Sequence, residues 1–130
     1  MIEEGRALFL QIAESVEDSI VEGSLPEEGR APSTNELAAF YRINPATAAK
    51  GVAMLVDKGV IYKRRGIGMF VAPGAREQLL AERRAAFADR FVEPLLAEAR
   101  KLGLGPEDLT TLIRDRASLP AAATPEGDAR

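Results

Sequence analysis

The sequence predicts a mainly α-helical fold with one small β-hairpin, closed by a two-helix C-terminal tail. Three observations predict it. Apolar residues recur at helical spacing over several separate stretches. Each stretch is bounded by residues that cap or stop a helix. One short segment, residues 60–71, instead has two β-prone runs around a glycine-containing turn.

The first helix is expected from about Arg6 to Glu22. Leu8, Ile12, Val16 and Ile20 recur every fourth residue, and Phe9, Ala13 and Val21 widen the stripe. Gly23 suits the left-handed residue that ends a helix. The segment SLPEEGRAP that follows carries two prolines and a glycine and reads as loop. Ser33 and Glu36 then form a capping box, the start of a short second helix with Leu37, Ala38 and Phe40 on its buried side. It ends near Tyr41, and Arg42-Ile43 make a tight turn.

Asn44 is a good N-cap and Pro45 is favoured at the first helical position. The third helix runs from there to Gly59, with Val52, Leu55 and Val56 apolar and Lys58 set well against the helix dipole. Two short helices around a tight turn make a helix-turn-helix. Val60–Lys63 and Met69–Val71 have strand character, and residues 64–68 form the turn between them. A helix-turn-helix followed by such a hairpin has the order of a winged helix. A long helical pattern runs from Ala75 to about Leu102, with Pro94 expected to kink or break it. Pro106 to about Ala117 is a last short helix, and residues 118–130 have the composition of disorder. The expected organisation is thus 1–73 as a winged helix-turn-helix domain, 74–117 as a helical tail and 118–130 as a disordered end.

Charge assigns a partner to this architecture. The chain of 130 residues has a net charge of -3. Residues 1–41 hold two basic residues against nine acidic ones. Residues 42–72 hold six basic residues against Asp57 alone. The basic segment is the one with the helix and wing, and a local basic face is what phosphate contact needs. Double-stranded DNA is the partner this pattern points to. The same residues would also make a plain solvated hairpin. The acidic first helix offers a different alternative, a protein-interaction module without specific DNA binding.

Other classes are poorly served. The chain has no Cys and no His, which removes disulfides, thiolate metal sites, the commonest general base and the commonest metal ligand. No metal, cofactor or enzymatic activity is expected. No apolar run approaches the ~18 residues of a membrane span. The start MIEEGRALF is acidic where a signal peptide is basic, so a cytoplasmic protein is expected.

The order and spacing of short motifs resemble one family. They are Leu8 to Gly23, then Pro32-Ser33-Thr34-Asn35-Glu36-Leu37-Ala38, then Asn44-Pro45 and Thr47, the Leu55–Gly59 helix end, and Arg65-Gly66-Ile67-Gly68-Met69-Phe70-Val71. Together they resemble the N-terminal winged helix of the GntR superfamily of bacterial transcription regulators. Asn44-Pro45 opening the third helix, with a short helical tail, is similar to the YtrA-like branch. The resemblance implies a transcription regulator, expected to be a dimeric repressor on a two-fold symmetric operator.

The residues expected to meet DNA follow from the motifs and from helix-end chemistry. Ser33, Thr34 and Asn35 sit at one helix start, and Asn44, Ala46 and Thr47 at another, where free N–H groups and hydroxyls serve phosphates or base edges. Ser33 is a cap first and a phosphate contact second. Thr47 is the chief candidate on the third helix, and Lys50 is expected on a phosphate. Arg64 and Arg65 approach the wing, where Gly66 and Gly68 let the backbone come close to the minor groove. Two departures stand out. Asn35 replaces a common Arg, and Ala46 and Ala49 stand where many relatives carry Arg. The recognition helix is therefore short of charge, and the wing carries more of the affinity.

Leu80, Phe87, Phe91, Leu95 and Leu102 fall on one stripe of the tail. Such a stripe covers its own domain or pairs with a second chain. The resemblance implies the second, with Leu80, Phe87, Phe91 and Leu95 at a homodimer interface. The tail is too short for a dedicated effector domain, and any small-molecule effector stays unknown.

Overall fold

Ile12, Ala13, Val16 and Ile20 are buried on one face of α1, Leu8–Glu22, as the four-residue spacing requires. The computed structural model describes residues 7–119. The expected start at Arg6 and the end of the tail from residue 120 lie outside them. Among the described residues α1 is followed by α2 (Thr34–Tyr41), α3 (Pro45–Lys58), β1 (Ile61–Arg64) and β2 (Gly68–Val71). Then come α4 (Ala75–Phe87), a π-helical turn (Ala88–Val92), α5 (Glu93–Lys101) and α6 (Pro106–Ala117). The fold is mainly helical with one antiparallel hairpin.

The chain divides into two compact units between Arg84 and Ala85. The first holds α1, α2, α3, the hairpin and most of α4. Its core joins Ile12, Val16 and Ile20 of α1 to Leu37 and Ala38 of α2, and to Ala48, Val52 and Leu55 of α3. Val60, Ile61 and Val71 of the hairpin region and Ala75 and Leu79 of α4 complete it. Burying α4 through Ala75 and Leu79 is what places its first ten residues in this unit.

Helix ends follow the sequence signals. Gly23 and Gly59 take left-handed conformations at the ends of α1 and α3. Gly51 is a different case. A Cβ built there would stand 2.9 Å from the Phe9 carbonyl oxygen. Only glycine lets α3 approach the start of α1 this closely.

The hairpin register pairs Ile61 with Val71 and Arg64 with Gly68. The strands thus reach further into the expected turn, which shrinks to residues 65–67. Val60 stands just before β1 and is fully buried. The segment expected as loop also joins the sheet. Arg30 bridges Phe70, and the Glu28 and Ala31 N–H groups donate to the Val71 and Met69 carbonyls, each at 2.8 Å. This pairing is long-range, so no local signal announces it.

Two expected core residues are exposed. Phe40 is 78% exposed. Helix α2 is short, and its contact face is made by Leu37, Ala38 and Tyr41, leaving Phe40 on the flank. There it lines an open cleft of about 570 Å3 with Ser15, Leu25, Glu36 and Tyr41. Val56 is 39% exposed, one position beyond the Leu55 that α3 turns inward.

Pro94 does not break the tail helix. It lacks the N–H that the Arg90 carbonyl would otherwise accept. The chain accommodates this with the π-helical turn, in which the Glu93 N–H donates to the Ala88 carbonyl, five residues back. In the second unit Ala99 and Leu109 are buried. Gly103 turns the chain at a φ of 74°, and the Leu104 N–H donates to the Ala99 carbonyl at 2.9 Å. The Asp108 carboxylate caps α6 by accepting from the Gly105 N–H at 2.8 Å.

Candidate nucleic-acid interface

Helices α2 and α3 pack against one another, and each starts with a side-chain cap. Ser33 Oγ accepts from the Glu36 N–H at 3.0 Å, and the Glu36 carboxylate accepts from the Ser33 N–H at 2.8 Å. The capping box is complete. The Ser33 N–H, against the opposing effect of burial, holds the Glu36 carboxyl below its ordinary range, helped by the Ser33 hydroxyl and the charge of Arg30. Asn44 Oδ1 accepts from the Ala46 N–H at 2.8 Å. Between the helices Arg42 takes a left-handed conformation, and the Ile43 N–H donates to the Ala38 carbonyl.

The caps occupy part of the expected contact chemistry. The Ser33 and Asn44 side-chain oxygens already accept backbone N–H groups. Asn35, Ala46 and Ala49 are exposed; Thr34 and Thr47 are half-buried. Ala48 is fully buried, which fixes the side of α3 that faces inward. Lys50 lies with its ammonium 4.1 Å from the Phe9 ring centre, a cation–π contact with the start of α1. It is exposed and keeps donors for a phosphate.

The wing treats its two arginines differently. Arg64 lies over the Phe70 ring at 4.3 Å, donates to the Tyr62 hydroxyl at 3.0 Å and pairs with Glu28 at 3.4 Å. Tyr62 in turn donates to Glu28. Arg64 is thus spent largely on holding the hairpin to residue 28. Arg65 is exposed and, among the described residues, has no hydrogen bond or ion pair. Gly66 and Gly68 have φ values of 76° and 144°, in the region that favours glycine. Ile67 caps the tip, exposed.

One cation at the wing was not among the expected contacts. Arg30 stands next to Gly68, where a built Cβ would be 3.1 Å from Arg30 Nε. Its place depends on the long-range bridge to Phe70, so the motif spacing carried no sign of it.

The expected dimer residues fall in both units. Leu80 is half-buried on α4. Phe87, Phe91 and Leu95 are exposed, with the two phenyl rings 5.3 Å apart. Leu102, Leu112 and Ile113 are exposed too. Among the described residues no group of acidic side chains could hold a metal ion, and no helix is long and apolar enough to cross a membrane.

Residues 8–71, which span α1 to the end of the wing, match the model of the bacterial regulatory proteins of the gntR family. A crystal structure of a putative transcriptional regulator of the GntR family from Bacteroides thetaiotaomicron is 32% identical. It superposes with a TM-score of 0.71, over 85% of this chain and 96% of that one. The transcriptional repressor YtrA of Bacillus subtilis is 25% identical over 108 residues, 83% of this chain and 82% of its own length. The N-terminal domain of AraR, solved in complex with a mutant ORR3, is 28% identical with a TM-score of 0.51. That match covers 54% of this chain and all of the domain. In fold and motif order, the chain belongs to the GntR family of bacterial regulatory proteins.

Proposed function

We propose that the protein is a sequence-specific DNA-binding transcription regulator, a dimeric repressor acting in the cytoplasm on a two-fold symmetric operator. The observation that carries this reading is the wing. Its tip presents the exposed Arg65, with no hydrogen bond or ion pair among the described residues, just before Gly66 and Gly68, which allow close backbone approach, and α3 opens on a capped first turn. Ser33, Thr34 and Asn35 would meet one stretch of backbone, and Asn44, Ala46, Thr47 and Lys50 would enter the major groove or its edge. Arg65, Gly66 and Gly68 would follow the adjacent minor groove. The N-terminal domain of AraR, a relative in fold, is in complex with a mutant ORR3 in the matched structure.

In this reading residues 1–73 bind DNA and 74–117 dimerise. A dimer lets two winged helices reach half-sites about 34 Å apart. The exposed Phe87, Phe91 and Leu95 are the apolar surface available for the second copy. No catalytic role is assigned, since the site offers caps, cations and glycines rather than an acid–base pair.

Footprinting on the DNA upstream of the protein's own gene tests the proposal. A two-fold symmetric footprint at sub-micromolar protein, weakening steeply with salt, is the expected result. Equal affinity for that DNA and for random duplex would sink it.

A further inference from the structure

We infer that Arg30 is a phosphate-gripping residue of the DNA interface, seated against the wing at Gly68; this rests on the DNA-binding reading above. Four observations lead there. Arg30 belongs to the segment that pairs with β2, with the Ala31 N–H bonded to the Met69 carbonyl at 2.8 Å, so its backbone is fixed to the wing. Its guanidinium lies along the face of Gly68 that a side chain would fill, with a built Cβ 3.1 Å from Nε, 3.6 Å from Nη2 and 3.7 Å from Cζ. Its charge also reaches Glu36 in the first turn of α2, so it lies near that turn as well as against the wing. Finally, among the described residues it has no hydrogen bond and no ion pair, although it is exposed.

The contrast with Arg64 decides which arginine does what. Arg64 is engaged by Glu28, Tyr62 and Phe70, and its charge is partly offset. Arg30 keeps its five donors in a planar fork, the geometry that matches a phosphate. A backbone strand passing over the wing tip meets this fork as it leaves the tip. Gly68 then has two reasons to be glycine: its φ of 144°, and the guanidinium that occupies the space of a side chain.

The contact is with backbone and not with a base, so it is sequence-independent. Titration by fluorescence anisotropy over a series of KCl concentrations tests this, using the footprinted duplex and a random duplex of the same length. Arg30→Ala is expected to weaken both duplexes about tenfold and to reduce the salt slope by about one, with an unchanged Tm. Arg30→Lys should recover the slope and part of the affinity. Unchanged affinity and slope in Arg30→Ala, with wild type binding, overturns the inference and leaves the DNA-binding reading standing. A loss confined to the footprinted duplex also overturns it, in favour of base readout. Wild type binding both duplexes equally would remove sequence specificity while the Arg30 contact is still read on each. Wild type binding neither overturns both.

Discussion

Lys58, in the last turn of α3, donates to Glu17 of α1 at 2.6 Å and lies 2.8 Å from Glu82 of α4. The Glu17 side chain is only 8% exposed, so Lys58 is what makes its burial tolerable. Burial pulls the Lys58 ammonium down, but the hydrogen bonds and charges of Glu17 and Glu82 outweigh it and leave its pKa above the ordinary value. A raised pKa contributes stability that is complete below the unfolded value of about 10.4 and is lost only as pH rises through the folded one. The pair therefore acts across the neutral range. Lys58→Met is expected to cost about 2 kcal/mol, below the full value for a buried pair because Lys58 is partly wet. Thermal unfolding should show a Tm roughly 10 °C lower. The double variant Lys58→Met, Glu17→Met should lose less, since no carboxylate is then stranded.

Gly51 makes the opposite of a routine helix substitution. Gly to Ala inside a helix normally gains about 1 kcal/mol. Here the new methyl meets the Phe9 carbonyl oxygen at 2.9 Å, which is backbone and cannot swing aside. Overpacking of this kind costs about 1–3 kcal/mol. Gly51→Ala is expected to lower the denaturation midpoint; a raised midpoint would show that α1 gives way.

The wing arginines should separate in two assays. Arg65→Ala is expected to weaken DNA binding about tenfold and leave Tm untouched, because Arg65 is exposed and makes no hydrogen bond or ion pair among the described residues. Arg64→Ala should lower Tm by a few degrees as well, since it removes the stack on Phe70 and the link to Glu28. Equal effects of the two on Tm would contradict the division of labour.

The exposed phenyl pair predicts an oligomer. Phe87→Asp with Phe91→Asp is expected to convert a dimer to a monomer by sedimentation equilibrium, with the winged-helix spectrum retained. A dimer that survives both charges would place the interface elsewhere.

Glu36 gives a pH signature. Its pKa is lowered in the folded chain, first by the Ser33 N–H. A lowered carboxylate pKa contributes stability above the unfolded value of about 4.3, lost as pH falls through the folded value. Glu36→Gln should be less stable than wild type at pH 7, and the gap should close in acid. A gap constant with pH would mean that the carboxylate charge contributes nothing.

Local chemistry determined most of the fold. Ser33 with Glu36, Asn44 with Pro45, and Gly23 and Gly59 are signals read within one or two turns of chain, and each helix end stands where they put it. The apolar period of α1 likewise named its buried face, because period and face are the same geometry. The charge of the basic segment was legible too, since it is a sum over neighbours in sequence.

What tertiary structure alone decided is how those charges are used. The pairing of residues 28–31 with β2 joins positions about 40 apart, and no local pattern encodes it. That pairing brings Glu28 to Arg64 and Arg30 to Gly68, so one of the two arginines expected at the wing is largely engaged, while Arg30, which was not expected there, has no ion pair among the described residues. It also left Phe40 outside the core, since a helix of eight residues has one contact face and packing chooses it. The sequence by itself determined the elements, their caps and the segment that is basic. Which cation faces outward depends on contacts distant in the chain, and those exist only once the elements have packed.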